Sequence, residues 1–191
     1  MNGRPGASND PYDAGMADPV TIRPIEPADA DGYLAVFEAV AAEGKWIGTE
    51  VPISPERAAR IRASAEASTD DQFAAVAVTA DGTVIGFARA DHDRGRAHLG
   101  MAIVDGYRGM GVGRRLLDMC IAWARDNGLH KIDLEVWPHN VGARRLYESA
   151  GFVVEGRRRR HWRRSNGALW DALEMSLVLD ETSPGSPYEE E

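Results

Sequence analysis

Between Ile103 and Leu117 the chain reads I-V-D-G-Y-R-G-M-G-V-G-R-R-L-L, an apolar strand-like run that passes through Gly109, Gly111 and Gly113 straight into a helix. Glycines in such a turn let the backbone adopt positive φ and approach a ligand closely. The helix that follows offers its free amides and the positive end of its dipole to the turn. Its residues 111–127 carry Leu116, Leu117, Cys120, Ile121 and Ala124 along one face and stop at Asn127-Gly128, the pattern of an amphipathic helix with a glycine stop. A strand–turn–helix of this kind suits a phosphate or pyrophosphate, with Arg108 and Arg114 adding charge at its edges. The plain alternative is a glycine-rich turn that holds nothing.

Three phosphate-binding patterns can be set against these residues. The nucleotide P-loop needs a lysine and a hydroxyl after its last glycine, but Arg114 and Arg115 follow Gly113. The dinucleotide pattern G-x-G-x-x-G fails as well, because Arg114 or Leu116 stands where its third glycine belongs. The third pattern, R-x-x-G-x-G, is met by Arg108, Gly111 and Gly113.

The rest of the chain limits what surrounds this turn. At 191 residues it allows one ordinary domain, and 43% hydrophobic residues suffice for a core. No apolar run approaches the roughly 18 residues that span a bilayer, and residues 1–16 lack the apolar region of a secretory signal. The single cysteine, Cys120, excludes a disulfide framework and fits a reducing compartment, so a cytoplasmic location is expected. The net charge of −8 is uneven: residues 1–18 carry −2 and residues 180–191 carry −5. Those ends are rich in Gly, Pro, Ser and acid and are expected to be disordered acidic tails around a domain at 19–179. The nearly neutral body speaks against nucleic acid as a partner.

Within the body, Val20–Pro24 predicts an edge strand. Apolar residues at helical spacing predict a helix from Asp29 or Ala30 to Gly44, and Pro55–Ala67 predicts a second. Residues 45–54 break that pattern. Phe73–Val78 and Thr83–Ala90 flank Asp81-Gly82 and predict a hairpin, followed by a strand at Ala97–Val104. Strands at Lys131–Val136, Phe152–Val154 and Ala172–Leu179 and a helix over 140–150 complete the reading. Early antiparallel strands followed by strand–helix–strand units predict an α/β (α+β) domain. Its central sheet should be mixed and mostly antiparallel, with helices on both faces.

A second block, Asn140 to Phe152, reads N-V-G-A-R-R-L-Y-E-S-A-G-F. It fits N-x-x-A-x-x-L-Y-E-x-x-G-F. Together with R-x-x-G-x-G it resembles the GNAT superfamily of acyl-CoA-dependent N-acetyltransferases over about residues 20–179. The stretch from Glu155 to Met175 is similar to the amino-acid and ribosomal-protein N-acetyltransferase branch. The chain departs from the family between Val104 and Arg108, where it has one residue fewer than usual and Gly106 in place of a common proline. The resemblance implies acetyl-CoA as co-substrate, held by Ala102, Ile103 and Val104, by Arg108, Gly109, Met110, Gly111, Val112, Gly113 and Arg114, and by Asn140. It also implies a small-molecule or peptide amine as partner and leaves a homodimer open.

Acetyl transfer to an amine needs a base for the ammonium proton and an acid for the departing thiolate. Tyr147 is the candidate acid, on one helix face with Asn140 and Ala143 at i, i+3 and i+7, where Ala143 leaves room for a cofactor arm. Asn140 also reads as the N-cap of that helix. Glu135 is the leading base, sharing a strand face with Asp133 and Trp137 opposite Ile132, Leu134 and Val136. Its place twelve residues before Tyr147 is similar to that of the base in ribosomal-protein acetyltransferases, and a carboxylate paired with a surface arginine is the competing reading. His98 is the rival base. Glu43, Trp46 and Glu50, in the stretch that breaks the helical pattern, are expected to meet the cationic acceptor. The five histidines and one cysteine show no ligand spacing, so no metal is expected. Arg157–Arg160 with Arg163 and Arg164 form a basic arm. It reads as a solvated hairpin arm or as a grip on RNA, an acidic peptide or the cofactor's 3′-phosphate. A non-catalytic acyl-CoA sensor or RNA-associated module using it is the second class of function.

Overall fold

A computed structural model describes residues 20–65, 69 and 71–180. The two expected tails, apart from Asp180, and residues 66 and 67 of the second expected helix lie outside the described residues. The elements are β1 (Thr21–Pro24), a 3-10 turn (Pro27–Asp29), α1 (Ala30–Ala42), α2 (Pro55–Ala65), β2 (Gln72–Val78), β3 (Val84–Asp93), β4 (Arg96–Ile103), α3 (Val112–Asp126), β5 (Lys131–Val136), α4 (Val141–Ser149), β6 (Val153–Arg163) and β7 (Leu169–Val178).

The seven strands form one sheet in the order β1-β2-β3-β4-β5-β7-β6. Only β4 and β5 run parallel; the other neighbours are antiparallel. Strand periodicity divides the core between two faces. Ala75 and Ala77 of β2 pack with Leu116, Leu117 and Cys120 of α3 and Tyr147 of α4, whereas Ala74, Val76 and Val78 pack with Tyr33, Leu34 and Val36 of α1 and Ile61 of α2. Leu116 and Leu117 are wholly buried, and truncating such a leucine to alanine costs about 2–5 kcal/mol.

Two features of the sheet position the site. The parallel ladder between β4 and β5 covers only Arg96–His98 against Lys131–Asp133. Both strands continue beyond it, β4 to Ile103 and β5 to Val136, so their far ends part and leave a gap. The second feature is the length of β6. The expected three-residue strand is instead an eleven-residue edge strand paired with β7, with register shifts at Glu155 and across 159–161. Nearly all of it is exposed, so no buried alternation marks it in the sequence. Arginines along an edge strand also discourage pairing with another chain.

Candidate active site

A cleft of about 600 Å³ opens in the gap between β4 and β5. One wall is the β4 stretch Leu99–Ile103; the other is Glu135, Val136 and Trp137 at the end of β5. Ligand sites commonly lie at such a parting of strands, beyond their carboxyl ends.

At one end of the cleft stands the glycine turn. The shortened approach is closed by a tight turn, with Tyr107 N–H donating to the Val104 carbonyl at 3.4 Å and Gly106 at φ +87°. Gly111 caps α3 at φ +79°, where a side chain would be strained although the space beside it is open. Gly113 is glycine for another reason: a Cβ there would lie 3.1 Å from Leu146 and 3.2 Å from Ile103. The first backbone hydrogen bond of α3 runs from Arg115 N–H to the Gly111 carbonyl at 3.2 Å. The amides of 109–114 therefore have no backbone acceptor among the described residues, as a phosphate-binding helix start requires. Gly109, Gly111, Gly113 and Arg114 line the cleft with Ala102 and Ile103. Val104, Met110 and Val112 do not line it. The Val112 side chain is in the core, Met110 is exposed, and the Val104 N–H donates to Ile85.

Arg108 lines the same end but is already engaged. Its Nε donates to the Ile103 carbonyl at 2.8 Å, and both terminal nitrogens donate to the Glu43 carboxylate, Nη1 at 2.9 Å. Trp46 Nε1 donates to the same carboxylate at 2.5 Å. Hydrogen bonds from Arg108 hold the Glu43 carboxyl below its ordinary range. Glu43 therefore ties the glycine turn to the segment after α1 instead of facing the cleft. Glu50, the other expected acceptor carboxylate, accepts from Ser165 N–H at 3.0 Å and Ser165 Oγ at 2.9 Å. Of the three expected acceptor residues, Trp46 alone lines the cleft.

The segment 43–50 is held at further points. His139 Nε2 lies 2.8 Å from the Lys45 carbonyl, and the buried Arg164 donates to the carbonyls of Ile47 and Gly48 at 3.2 and 3.3 Å. Arg164 also lies over the Trp170 ring at 4.6 Å. Within the basic arm, Arg157 pairs with Asp171, Arg158 with Glu135 and Glu174, and Arg164 with Glu50. Half of its arginines thus serve the fold.

Tyr147 lines the cleft from α4, and its ring is 6% exposed. Burial pushes its phenol well above the ordinary value, so the hydroxyl keeps its proton throughout the neutral range. Asn140 behaves as the N-cap it resembles: its Oδ1 accepts from Ala143 N–H at 3.2 Å, and it also borders the cleft.

Glu135 and His98 both reach the other end of the cleft. Glu135 Oε1 lies 3.2 Å from Arg158 and 3.5 Å from His161, and Oε2 accepts from Trp162 Nε1 at 3.0 Å. The carboxylate is therefore both paired with an arginine and presented to the cleft. His98 Nδ1 lies 2.7 Å from Asp133 Oδ1, an arrangement that leaves Nε2 for another partner. Trp137 and Trp162 complete this end, and neither was singled out by sequence reasoning as a site residue. The turn Ser165-Asn166-Gly167 was the available signal that β6 and β7 form a hairpin bringing Trp162 back over β5.

Cys120 sits in the α3 core, its thiol pushed up to about 12 by burial, and has no access to the cleft. Among the described residues no group of three or more His, Cys, Asp or Glu could hold a metal ion. No helix among them is long and apolar enough to cross a membrane.

Residues 33–152 match the acetyltransferase (GNAT) family. Among curated relatives, streptothricin acetyltransferase of Streptomyces lavendulae is 34% identical over 95 residues, 48% of this chain and 50% of that protein. Mycothiol acetyltransferase of Paenarthrobacter aurescens is 30% identical over 154 residues, 74% of this chain and 45% of that protein. The chain thus spans about half the length of these two. Aminoglycoside N(6')-acetyltransferase type 1 of Stenotrophomonas maltophilia is 29% identical over 147 residues, covering 72% of this chain and 88% of its own. A GNAT acetyltransferase structure from Streptococcus pneumoniae superposes with a TM-score of 0.72 at 26% identity, covering 84% of this chain and all of its own. Two further structures share the fold. Ribosomal-protein-S5-alanine acetyltransferase from Vibrio fischeri has a TM-score of 0.73 at 24% identity, over 86% of this chain and 96% of its own. Phosphinothricin acetyltransferase from Sinorhizobium meliloti, in complex with acetyl-CoA, has a TM-score of 0.74 at 21% identity, over 89% of this chain and 94% of its own. With the family matched over residues 33–152 and the fold shared with solved structures over 84–89% of the chain, the chain belongs to the acetyltransferase (GNAT) family that its two motifs resemble.

Proposed function

We propose that this protein is an N-acetyltransferase that moves the acetyl group of acetyl-CoA to a primary amine by direct attack. One observation carries the reading. A single cleft joins the free amides of 109–114 at one end to Tyr147 in its wall and to Glu135 and His98 at the other end. The glycine-turn amides and Arg114 suit the cofactor's diphosphate, and the parted edge of β4 suits its extended amide-bearing arm. Acetyl-CoA supplies an activated acyl carbon and a thiolate leaving group.

The protein's own groups then handle two protons. A neutral amine forms the new C–N bond as the C–S bond breaks, and its proton must leave. Glu135, directly or through one water, accepts that proton, and Tyr147 donates its phenolic proton to the departing sulfur. With Cys120 buried outside the cleft, no cysteine among the described residues competes as a covalent nucleophile. A second assignment of the base follows from the contact of His98 Nδ1 with Asp133, which orients Nε2 as an acceptor.

Thiol release from acetyl-CoA, measured across aminoglycosides, amino acids, peptide N-termini and simple amines, tests the activity. The acidic limb of the kcat/KM profile tests the base. Glu135→Gln should depress the rate and remove or move that limb. Loss of the limb in His98→Gln, with its retention in Glu135→Gln, assigns the proton to His98 and leaves Glu135 to attract the amine through KM.

A further inference from the structure

The end of the cleft away from the glycine turn is walled by aromatic rings. Trp137 comes from the end of β5 and Trp162 from β6, while Trp46, from the segment after α1, lies toward the glycine turn with Arg108 5.6 Å over its ring. The ring of Trp137 stands perpendicular to those of Trp162, 5.8 Å away, and Trp170, 5.4 Å away. The Trp162 ring is fixed by the hydrogen bond from its Nε1 to Glu135, and the Gly48 backbone rests against its outer edge, where a Cβ would lie 3.4 Å from the ring. The Trp137 indole N–H, in a side chain only 5% exposed, has no hydrogen-bond partner among the described residues.

The charges around these rings are one-sided. Arg108 is committed to Glu43, Arg158 to Glu135 and Glu174, and Arg164 to the carbonyls of Ile47 and Gly48. Lys45 lies over the Trp46 ring at 4.9 Å and lines a separate shallow groove with His139 and Trp170, not the cleft. On this face Asp133, Glu135 and Glu174 meet the guanidiniums of Arg96 and Arg158, three carboxylates against two cations. An ammonium is favoured by carboxylates and indole faces. A carboxylate beside the amine would be desolvated close to Glu135, with the guanidiniums of Arg108, Arg158 and Arg164 already engaged.

We propose that this end of the cleft is an aromatic slot for a primary amine on a flat aromatic body with no carboxylate next to the amine, and that Trp162 determines that specificity. The proposal rests on the acetyl-transfer reading for its place in catalysis, but equilibrium binding tests it without turnover. Quenching of tryptophan fluorescence in the full chain, saturated with coenzyme A, measures the Kd of three probes: 2-phenylethylamine, phenylalanine and propylamine. The first should bind at least tenfold more tightly than either of the others. Trp162→Ala should erase most of that preference, acting through the amine KM and leaving the acetyl-CoA KM within twofold, while Trp162→Phe keeps it. Phenylalanine binding as tightly as 2-phenylethylamine overturns the proposal, as does an unchanged preference in Trp162→Ala. The parent protein alone decides the first of these if the alanine variant does not fold. Selective binding of 2-phenylethylamine without acetylation of any amine supports the slot and defeats the acetyl-transfer reading. Acetylation that favours phenylalanine does the reverse.

Discussion

At the end of the cleft that receives the cofactor, the working parts are neighbours in sequence. The edge of β4, the turn with Gly109 and Gly111, and the start of α3 form one continuous stretch, and Asn140, Ala143 and Tyr147 share a single helix face. At the acceptor end the parts come from far apart. Lys45 meets His139 across 94 positions, and Ile47 meets Arg164 across 117. The first end recognises through backbone amides whose direction is set by local conformation. The second recognises through side chains whose placement depends on a clasp between the α1–α2 segment and the β6–β7 hairpin. One end is encoded by motif, the other by tertiary contact, so damage to each should have a different reach.

The largest effect is expected from Gly111→Val. A β-branched side chain at φ +79° disfavours the turn itself, so the amides lose their common direction. Saturating acetyl-CoA should raise the melting temperature of the parent, since ligand at about 100 Kd contributes roughly 2.7 kcal/mol. The variant should show no such shift. A retained shift would mean that the glycine turn does not carry the cofactor's phosphates.

Tyr147→Phe should act on chemistry alone. Removal of the hydroxyl is expected to lower kcat by about 10²-fold or more, within the range for a general acid, and to leave acetyl-CoA affinity nearly unchanged. Burial raises the Tyr147 phenol, so its protonated, donating form persists above the ordinary tyrosine range near 10. Near-full kcat in the phenylalanine variant, with chemistry shown to be rate-limiting, would break this assignment.

The smallest of the three effects, and the one that most sharpens the contrast, is expected from Arg164→Ala. The buried guanidinium holds the carbonyls of Ile47 and Gly48 beside Trp162, and its loss leaves polar groups unpaired at roughly 1–3 kcal/mol. The amine KM should rise about tenfold, with the acetyl-CoA-induced melting shift retained. A larger loss on the acetyl-CoA side would show that the two ends are not separable, with the Glu43–Arg108 pair as the route between them.

Much of this was legible in the sequence. The helix over 111–127 appears as Val112–Asp126, the strand at Lys131–Val136 is unchanged, and Asn140 caps α4 as its residue type suggests. Those features are local: a 3.6-residue period, a residue that favours positive φ, or a side chain that bonds an amide three positions on is written within a few residues. Acidity near the expected acceptor site was read just as plainly, yet Glu43 and Glu50 turned out to hold Arg108 and Ser165. A carboxylate's type does not state which cation will reach it first.

The sequence by itself determined the glycine turn, the helix that begins on it and the face shared by Asn140, Ala143 and Tyr147, because backbone preference and helical spacing act over one or two turns of chain. Only the tertiary structure decided where β4 and β5 part, how far the arginine-rich edge strand runs, and that Trp162 would stand against Glu135. Those outcomes depend on which strands lie side by side, and pairing across a sheet is settled by the register of β5, β7 and β6 together, not by any residue's own neighbours.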